Sequence, residues 1–278
     1  MKEIFDKASI RCSRLVTRAY STSFSLGIFC LRRDLHDPIH SIYGFVRFAD
    51  EIVDTFHSYD KEKLLLRFRE DTFRSIDEKI SLNPILNSFQ STVHQYGIER
   101  ELIGQFLRSM EMDLLQKHYN AESFDQYIFG SAEVVGLMCL RVFADGDNKV
   151  YGHLKPNAMK LGAAFQKVNF LRDLKSDFVG MGRSYFPGVD LNTFDEVTKR
   201  KIEESISADF KEARKGIRLL PRSSRFGVYV AYVYYLALFR KIRNTPSELV
   251  MNQRIRIRNR YKATLLAYSY VKHQLNMI

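Results

Sequence analysis

The chain has 278 residues, 45% hydrophobic and 27% charged, an ordinary balance for a soluble globular protein with room for a sizeable core. Its three cysteines, Cys12, Cys30 and Cys139, are far apart and lack a CxxC spacing; this excludes a disulfide framework or a cysteine zinc site and fits a reducing cytosol. A formal charge of +11 admits nucleic acid, anionic lipid or polyphosphate as partner without choosing among them.

The opening segment MKEIFDKASIRCSRL carries Glu3 and Asp6 and has no apolar h-region, so it does not read as a signal peptide. Apolar residues then recur at helical spacing along almost the whole chain. They predict helices over 3–20, 38–57, 60–79, 84–95, 98–118, 123–144, 148–178, 193–215, 222–243 and 258–275. Breakers fall between them: HDP at 36–38, LNP at 82–84, DGDN at 145–148, GMGRSYFPG at 180–188 and NTPS at 244–247. The longest apolar run, Phe226 to Phe239, is shorter than the roughly 20 residues that span a bilayer and reads as a buried core helix. No Gly/Ser- or Pro-rich linker interrupts the chain. The expectation is an all-α protein folded as one domain over residues 1–278.

The first segment of chemical interest is YSTSF, residues 20–24. Tyr20, Ser21, Thr22 and Ser23 sit where one helix ends or restarts. Their hydroxyls and backbone N–H groups suit either a phosphate or a plain helix cap. The next is YGFVRFADEIVD, residues 43–54. At about 100° per residue, Tyr43, Arg47, Asp50 and Asp54 share one helix face, while Phe45, Val46, Phe48, Ile52 and Val53 cover much of the rest. Two carboxylates one turn apart repel each other, so something cationic has to offset them.

Further along, YIFGSAEVVGLM (127–138) places Gly130, Ser131, Ala132 and Gly136 inside a helix, where glycine costs up to about 1 kcal/mol. Close ligand approach and tight helix packing both explain it, and LGAAF at 161–165 makes the same small-residue argument. AFQKVNFLRDLKSDF (164–178) then repeats the earlier puzzle: Gln166, Asn169, Asp173 and Asp177 share one face, with Arg172 at its edge. Two helices thus each carry an acidic pair in apolar surroundings, joined by Asn and Gln oxygens.

Such a set suits a hard cation. Mg2+ demands oxygen ligands and commonly bridges one or two carboxylates to substrate phosphates. Facing acidic rows would grip a metal-bound diphosphate, with Arg47, Arg172 and Arg183 on the remaining oxygens. The alternative is a buried ion-pair network linking two helices. The loop GMGRSYFPG is suited to closing over a site with Arg183 and Tyr185, or is an ordinary connection. RIRIRNRYK (254–262) is the densest basic run, a solvated face or a membrane-attracted one. No P-loop, GxGxxG fingerprint or Ser/His/Asp set is present.

In YSTSF, YGFVRFADEIVD, MEMDL (110–114), YIFGSAEVVGLM, AFQKVNFLRDLKSD and GRSYFP, the sequence resembles the squalene/phytoene synthases, from about Tyr20 to the end. The resemblance implies the all-α isoprenoid synthase fold around a central apolar cavity. It also implies that Asp50, Asp54, Asn169, Asp173 and Asp177 bind Mg2+ (or Mn2+) carrying diphosphate. By the same matching, Tyr20, Ser21, Thr22, Ser23, Tyr43, Arg47, Gln166 and Arg172 contact prenyl diphosphate, while Tyr127 and Tyr234 line the pocket and stabilise cations. The sequence departs from the family pattern at Lys175 and Ser176, between the two aspartates of the second motif.

DEIVD, MEMDL and VGLM are most similar to bacterial phytoene synthases. That likeness implies a carotenoid-pathway prenyltransferase condensing two geranylgeranyl diphosphates through prephytoene diphosphate, without NADPH. Alternatives are a dehydrosqualene or squalene synthase using farnesyl diphosphate, a non-catalytic scaffold relative, and a basic nucleic-acid binder. Only Tyr261 interleaves the basic stripe, so nucleic acid is not expected. Apolar substrates imply a cytoplasmic protein in peripheral contact with the inner membrane surface; the oligomeric state is left open.

Overall fold

The computed structural model describes residues 1–116, 118–175, 182–189, 193–275 and 277–278. Helix α1 (Lys2–Tyr20) stops because Ser21 takes an extended conformation, φ −146° and ψ 104°. The Ser21 hydroxyl then accepts the Phe24 amide at 3.1 Å and caps a new helix, α2 (Thr22–Phe29). A 3-10 turn, Arg33–Leu35, leads into α3 (His36–Asp54). Asp60 caps α4 (Lys61–Glu78). Asn83 caps α5 (Pro84–Tyr96), which opens on a proline and ends at Gly97 with φ +62°. Helix α6 (Arg100–Leu115) follows.

Residues 121–144 form one continuous rod: α7 (Ala121–Ile128), a π-helical turn (Phe129–Glu133) and α8 (Val134–Ala144). The long α9 (Asn148–Lys175) packs along α8 and along α10 (Glu196–Leu219). The chain closes with α11 (Arg222–Arg243), the short α12 (Ser247–Asn252) and α13 (Asn259–Gln274), which lies on α11. Among the described residues there is no strand, and a single bridge pairs His118 with Ser184. All three cysteines are unpaired.

The apolar side of α3 builds the core. Phe45 is fully buried, stacked on Phe89 at 4.0 Å and against Phe106 at 5.3 Å and Phe68 at 5.7 Å, so α3 is held by α4, α5 and α6. The opposite, charged side of α3 is thereby turned toward α9. The small residues of the central rod serve close packing. A Cβ on Gly130 would stand 2.7 Å from the Gln105 carbonyl oxygen, and one on Gly162 would stand 2.5 Å from that of Ala132. By length and composition the rod Ala121–Ala144 is apolar enough to cross a membrane, but over half of its most apolar stretch is buried inside this fold.

Two helices were not expected from the sequence. Thr22–Phe29 packs on α11, α3 and α1, so its apolar residues show no one-sided periodicity, and α12 is a single short turn-and-a-half beyond the NTPS breaker. The expected helix over 98–118 ends at Leu115, and that over 193–215 runs instead from Glu196 to Leu219.

Candidate active site

A cavity of about 620 Å³ runs through the bundle. Two helices line it along their length. From α3 come Ile39, Ile42, Tyr43, Val46, Arg47, Asp50 and Asp54; from α9 come Leu154, Ala158, Leu161, Phe165, Gln166, Asn169 and Asp173. At 1.5 Å per residue, Ile39 to Asp54 climbs about 22 Å and Leu154 to Asp173 about 28 Å. Both rows pass from aliphatic to charged in the same direction. The cavity therefore has an apolar end and an acidic end.

At the acidic end Asp50 is half-buried. Burial pushes its pKa up to about 7, the Asp54 charge adds to this, and Arg47 opposes it. Arg47 is engaged elsewhere: it pairs with Glu51 and lies over the Tyr20 ring at 4.3 Å, and its Nε is buried without a hydrogen-bond partner among the described residues. Asp54 accepts from Arg183 at 3.3 Å. Across the cavity Asp173 is held by its neighbour Arg172 at 2.5 Å and by Arg254 at 2.8 Å. Asn169 Oδ1 accepts the Tyr235 hydroxyl at 3.3 Å, and Gln166 donates to Ser131 at 3.4 Å.

A fourth carboxylate completes this end. Asp113, on α6, is buried, and burial pushes its pKa up to about 6 against the pull of Arg183 and the Tyr127 hydroxyl. It accepts from Tyr127 at 2.5 Å and from Tyr119 and Tyr185 at 3.2 Å. Arg183 donates to the Asp113 carbonyl at 2.9 Å and reaches Asp54 with the same guanidinium, so it ties α6 to α3. Below this network Phe165 stacks on Tyr235 at 3.9 Å, with Phe24 and Tyr43 alongside, giving the middle of the cavity an aromatic wall.

The donor set is entirely oxygen, and desolvation together with the Asp54 charge penalises the ionised form of Asp50, which fits a hard divalent cation. Among the described residues no three His, Cys, Asp or Glu side chains cluster closely enough to hold an ion alone. Asp50, Asp54, Asn169 and Asp173 would instead hold Mg2+ jointly with water and substrate oxygens.

Residues 17–261 match the family model for squalene/phytoene synthase. The chain belongs to the squalene/phytoene synthase family. Among curated relatives it is 26% identical to a phytoene synthase of Arthrospira platensis over 272 residues, covering 88% of this chain and 87% of the relative. It is 30% identical to a presqualene diphosphate synthase of Sinorhizobium fredii over 178 residues, 63% of this chain and 61% of that protein. In fold it is similar to a dehydrosqualene synthase solved with a ligand, at a TM-score of 0.83 and 18% identity, covering 97% of this chain and 98% of the other. Members of the family are prenyltransferase-type enzymes that bind diphosphate with a divalent metal.

Against this family site, the structure sorts the residues singled out in the sequence. Tyr20, Ser21, Tyr43, Arg47, Asp50, Asp54, Tyr127, Gln166, Asn169, Arg172 and Asp173 all line one cavity. Arg183 stands just behind the lining, buried against Asp54 and Asp113. Asp177 lies outside the described residues. Thr22 and Ser23 are not among the lining residues; Thr22 is exposed, and Ser23 accepts Lys262 Nζ at 2.8 Å. Tyr234 requires a correction: its hydroxyl donates to the Lys262 carbonyl at 3.0 Å, and the next residue, Tyr235, faces the cavity. Asp113 and Arg254 had been given no role. Asp113 in MEMDL has no acidic partner three or four residues away in its own helix to mark it, and Arg254 is one cation in a basic run.

Proposed function

We propose that this chain is a phytoene-synthase-type prenyltransferase that joins two molecules of geranylgeranyl diphosphate head to head. The observation that carries this is the cavity's polarity: Asp50 and Asp54 of α3 and Asp173 of α9 line one end, and an apolar length lies beneath them. A diphosphate belongs at the first and a prenyl tail in the second. When bound, Mg2+ supplies the charge neutralisation that makes diphosphate a leaving group.

The chain's own residues do the rest. Arg47, Arg172 and Arg254 line the acidic end and are placed to take diphosphate oxygens. The apolar walls from Ile39 and Leu154 upward align the two tails and keep water away from the reacting carbons. Departure of the first diphosphate leaves an allylic cation, which the double bond of the second substrate attacks; loss of a proton closes a cyclopropane. Loss of the second diphosphate, rearrangement of the ring and a final proton loss give phytoene. Tyr127, Phe165 and Tyr235 line this path, where the aromatic quadrupole would stabilise a carbocation.

A second reading, condensation of farnesyl diphosphate, draws support from the similarity to dehydrosqualene and presqualene diphosphate synthases. One experiment separates them. Purified protein and Mg2+ are incubated with geranylgeranyl or farnesyl diphosphate, with and without NADPH, and the hydrocarbons are analysed. Phytoene from the longer substrate without NADPH is expected. A farnesyl-derived product alone favours the second reading, and no product from either removes both.

A further inference from the structure

The apolar end of the cavity reaches one end of the bundle. Leu31, Gly216, Leu220 and Gly227 line it there, and beside them in the chain stand Phe29, 74% exposed, and Leu219, 56% exposed. The Arg32 amide donates to the Ser223 carbonyl at 2.8 Å, which ties the end of α2 to the α10–α11 turn. Phe226, in the second turn of α11, packs on Tyr270 at 6.0 Å and His273 at 4.9 Å. That contact brings the C-terminal end of α13, with Tyr270 and Leu275 exposed, to the same end of the molecule.

The charge around these apolar side chains is positive. Arg33, Arg218 and Arg222 are exposed and make no ion pair among the described residues. Of the acids nearby, Asp34 is taken by Arg32 and Glu212 by Lys215, and Asp145 also lies near Arg32. The basic run 254–262 is placed differently. Its Arg254 is held by Asp173 and its Lys262 by Ser23, so it straps across the acidic end.

We propose that this end of the bundle docks on an anionic lipid bilayer, with Phe29 and Leu219 inserted below the headgroups and Arg33, Arg218 and Arg222 on the lipid phosphates, so that the apolar end of the cavity faces the acyl chains. Exposed aromatic and aliphatic side chains ringed by arginine are what an interfacial surface requires. Each cation near such a surface adds attraction that salt screens. Long prenyl tails and their hydrocarbon product have negligible solubility in water, so docking that brings the apolar end of the cavity against the bilayer shortens their transfer. That last step rests on the prenyl-diphosphate reading; vesicle binding does not, and it is measured without turnover.

The test is sedimentation of the full chain with vesicles of phosphatidylglycerol or of phosphatidylcholine. The wild-type chain should bind phosphatidylglycerol vesicles and be released as salt rises. The double variant Phe29→Ser, Leu219→Ser and the triple variant Arg33→Glu, Arg218→Glu, Arg222→Glu should each partition at least about tenfold more weakly. Both should keep wild-type turnover of detergent-dispersed substrate, since none of these side chains lines the cavity. A control of equal charge change, Arg256→Glu, Arg258→Glu, Arg260→Glu, should bind as wild type. The proposal is overturned if wild type ignores phosphatidylglycerol, if both patch variants still bind, or if the control loses binding in their place. It is equally overturned if the patch variants only convert a wild-type dimer to monomer.

Discussion

Asp50 carries two opposed demands. Half-buried one turn from Asp54, its carboxyl is pushed up to about 7 by desolvation and by that neighbouring charge, so the folded chain without divalent cation holds a proton there that the unfolded chain releases near 4. The sign follows: this residue costs no stability below about pH 4, and its cost grows as pH rises toward 7 and stays above it. Asp50→Asn should therefore raise the thermal midpoint of the metal-free protein at pH 8, by the equivalent of roughly a few kcal/mol, while abolishing condensation. Calorimetry in chelator and a product assay in Mg2+ check the two halves. Asp113 is a different case, because three tyrosine hydroxyls and Arg183 are ordered around it. Asp113→Asn keeps the shape but removes the charge that orients them, and should lower kcat by about 10- to 100-fold with an unchanged circular dichroism spectrum. An unchanged kcat would make Asp113 a packing residue only. Asp50 and Asp54 were legible in the sequence because charged residues recur on one face of an otherwise apolar helix. Asp113 was not, since its partners come from residues 119, 127, 183 and 185, which only the fold assembles. Tyr234 and Tyr235 show the same limit. One residue turns a helix by about 100°, and α11 is too apolar all round for its tyrosines to declare a register.

At the scale of elements, helices were legible wherever one face was apolar and the other polar. Helix α3 and the chemically active stretch of α9 could be located from their acidic rows, but the crossing that makes them neighbours could not. The seat of α9 on the π-helical turn, which sets it across the cavity from α3, depends on absent side chains. A Cβ on Gly162 would sit 2.5 Å from the Ala132 carbonyl oxygen and 3.2 Å from the Glu133 Cα, and backbone cannot give way as a side chain can. Gly162→Ala should thus push α9 off the π-helical turn and cost about 1–3 kcal/mol in urea unfolding, despite the better helix propensity of alanine. Gln166, Asn169 and Asp173 ride on the displaced helix, so condensation should fall too, with KM for the diphosphate rising. Gly152, with nothing within 4 Å of its missing Cβ, is the control: Gly152→Ala should be neutral or stabilising. The small residues of YIFGSAEVVGLM left packing and ligand approach equally open; the structure bears out packing, since Gly130 meets α6 and Gly136 meets Ala158 of α9, while Ser131, Ala132 and Gly136 also line the cavity.

Across the whole molecule, the sequence carried the fold class and the acidic end but not the cavity's length, which is set by where α2, α10 and α11 close its apolar floor. Those closing residues are small or aliphatic and carry no motif: Gly27, Gly216, Gly227 and Val228. Chain-length preference is thereby separated from chemistry, because the floor lies about 20 Å below the carboxylates along α3. Bulk added at the floor should shorten the acceptable tail without touching the diphosphate. Val228→Phe is the substitution that tests this, since Val228 lines the cavity and is 9% exposed. In a competition between geranylgeranyl and farnesyl diphosphate, the ratio of their kcat/KM values should swing toward farnesyl by at least about tenfold, the scale at which an apolar pocket discriminates small differences in hydrocarbon. Turnover of the shorter substrate should persist, because every residue at the acidic end is unchanged. An equal loss for both substrates would mean that Val228 supports the bundle and the floor lies elsewhere.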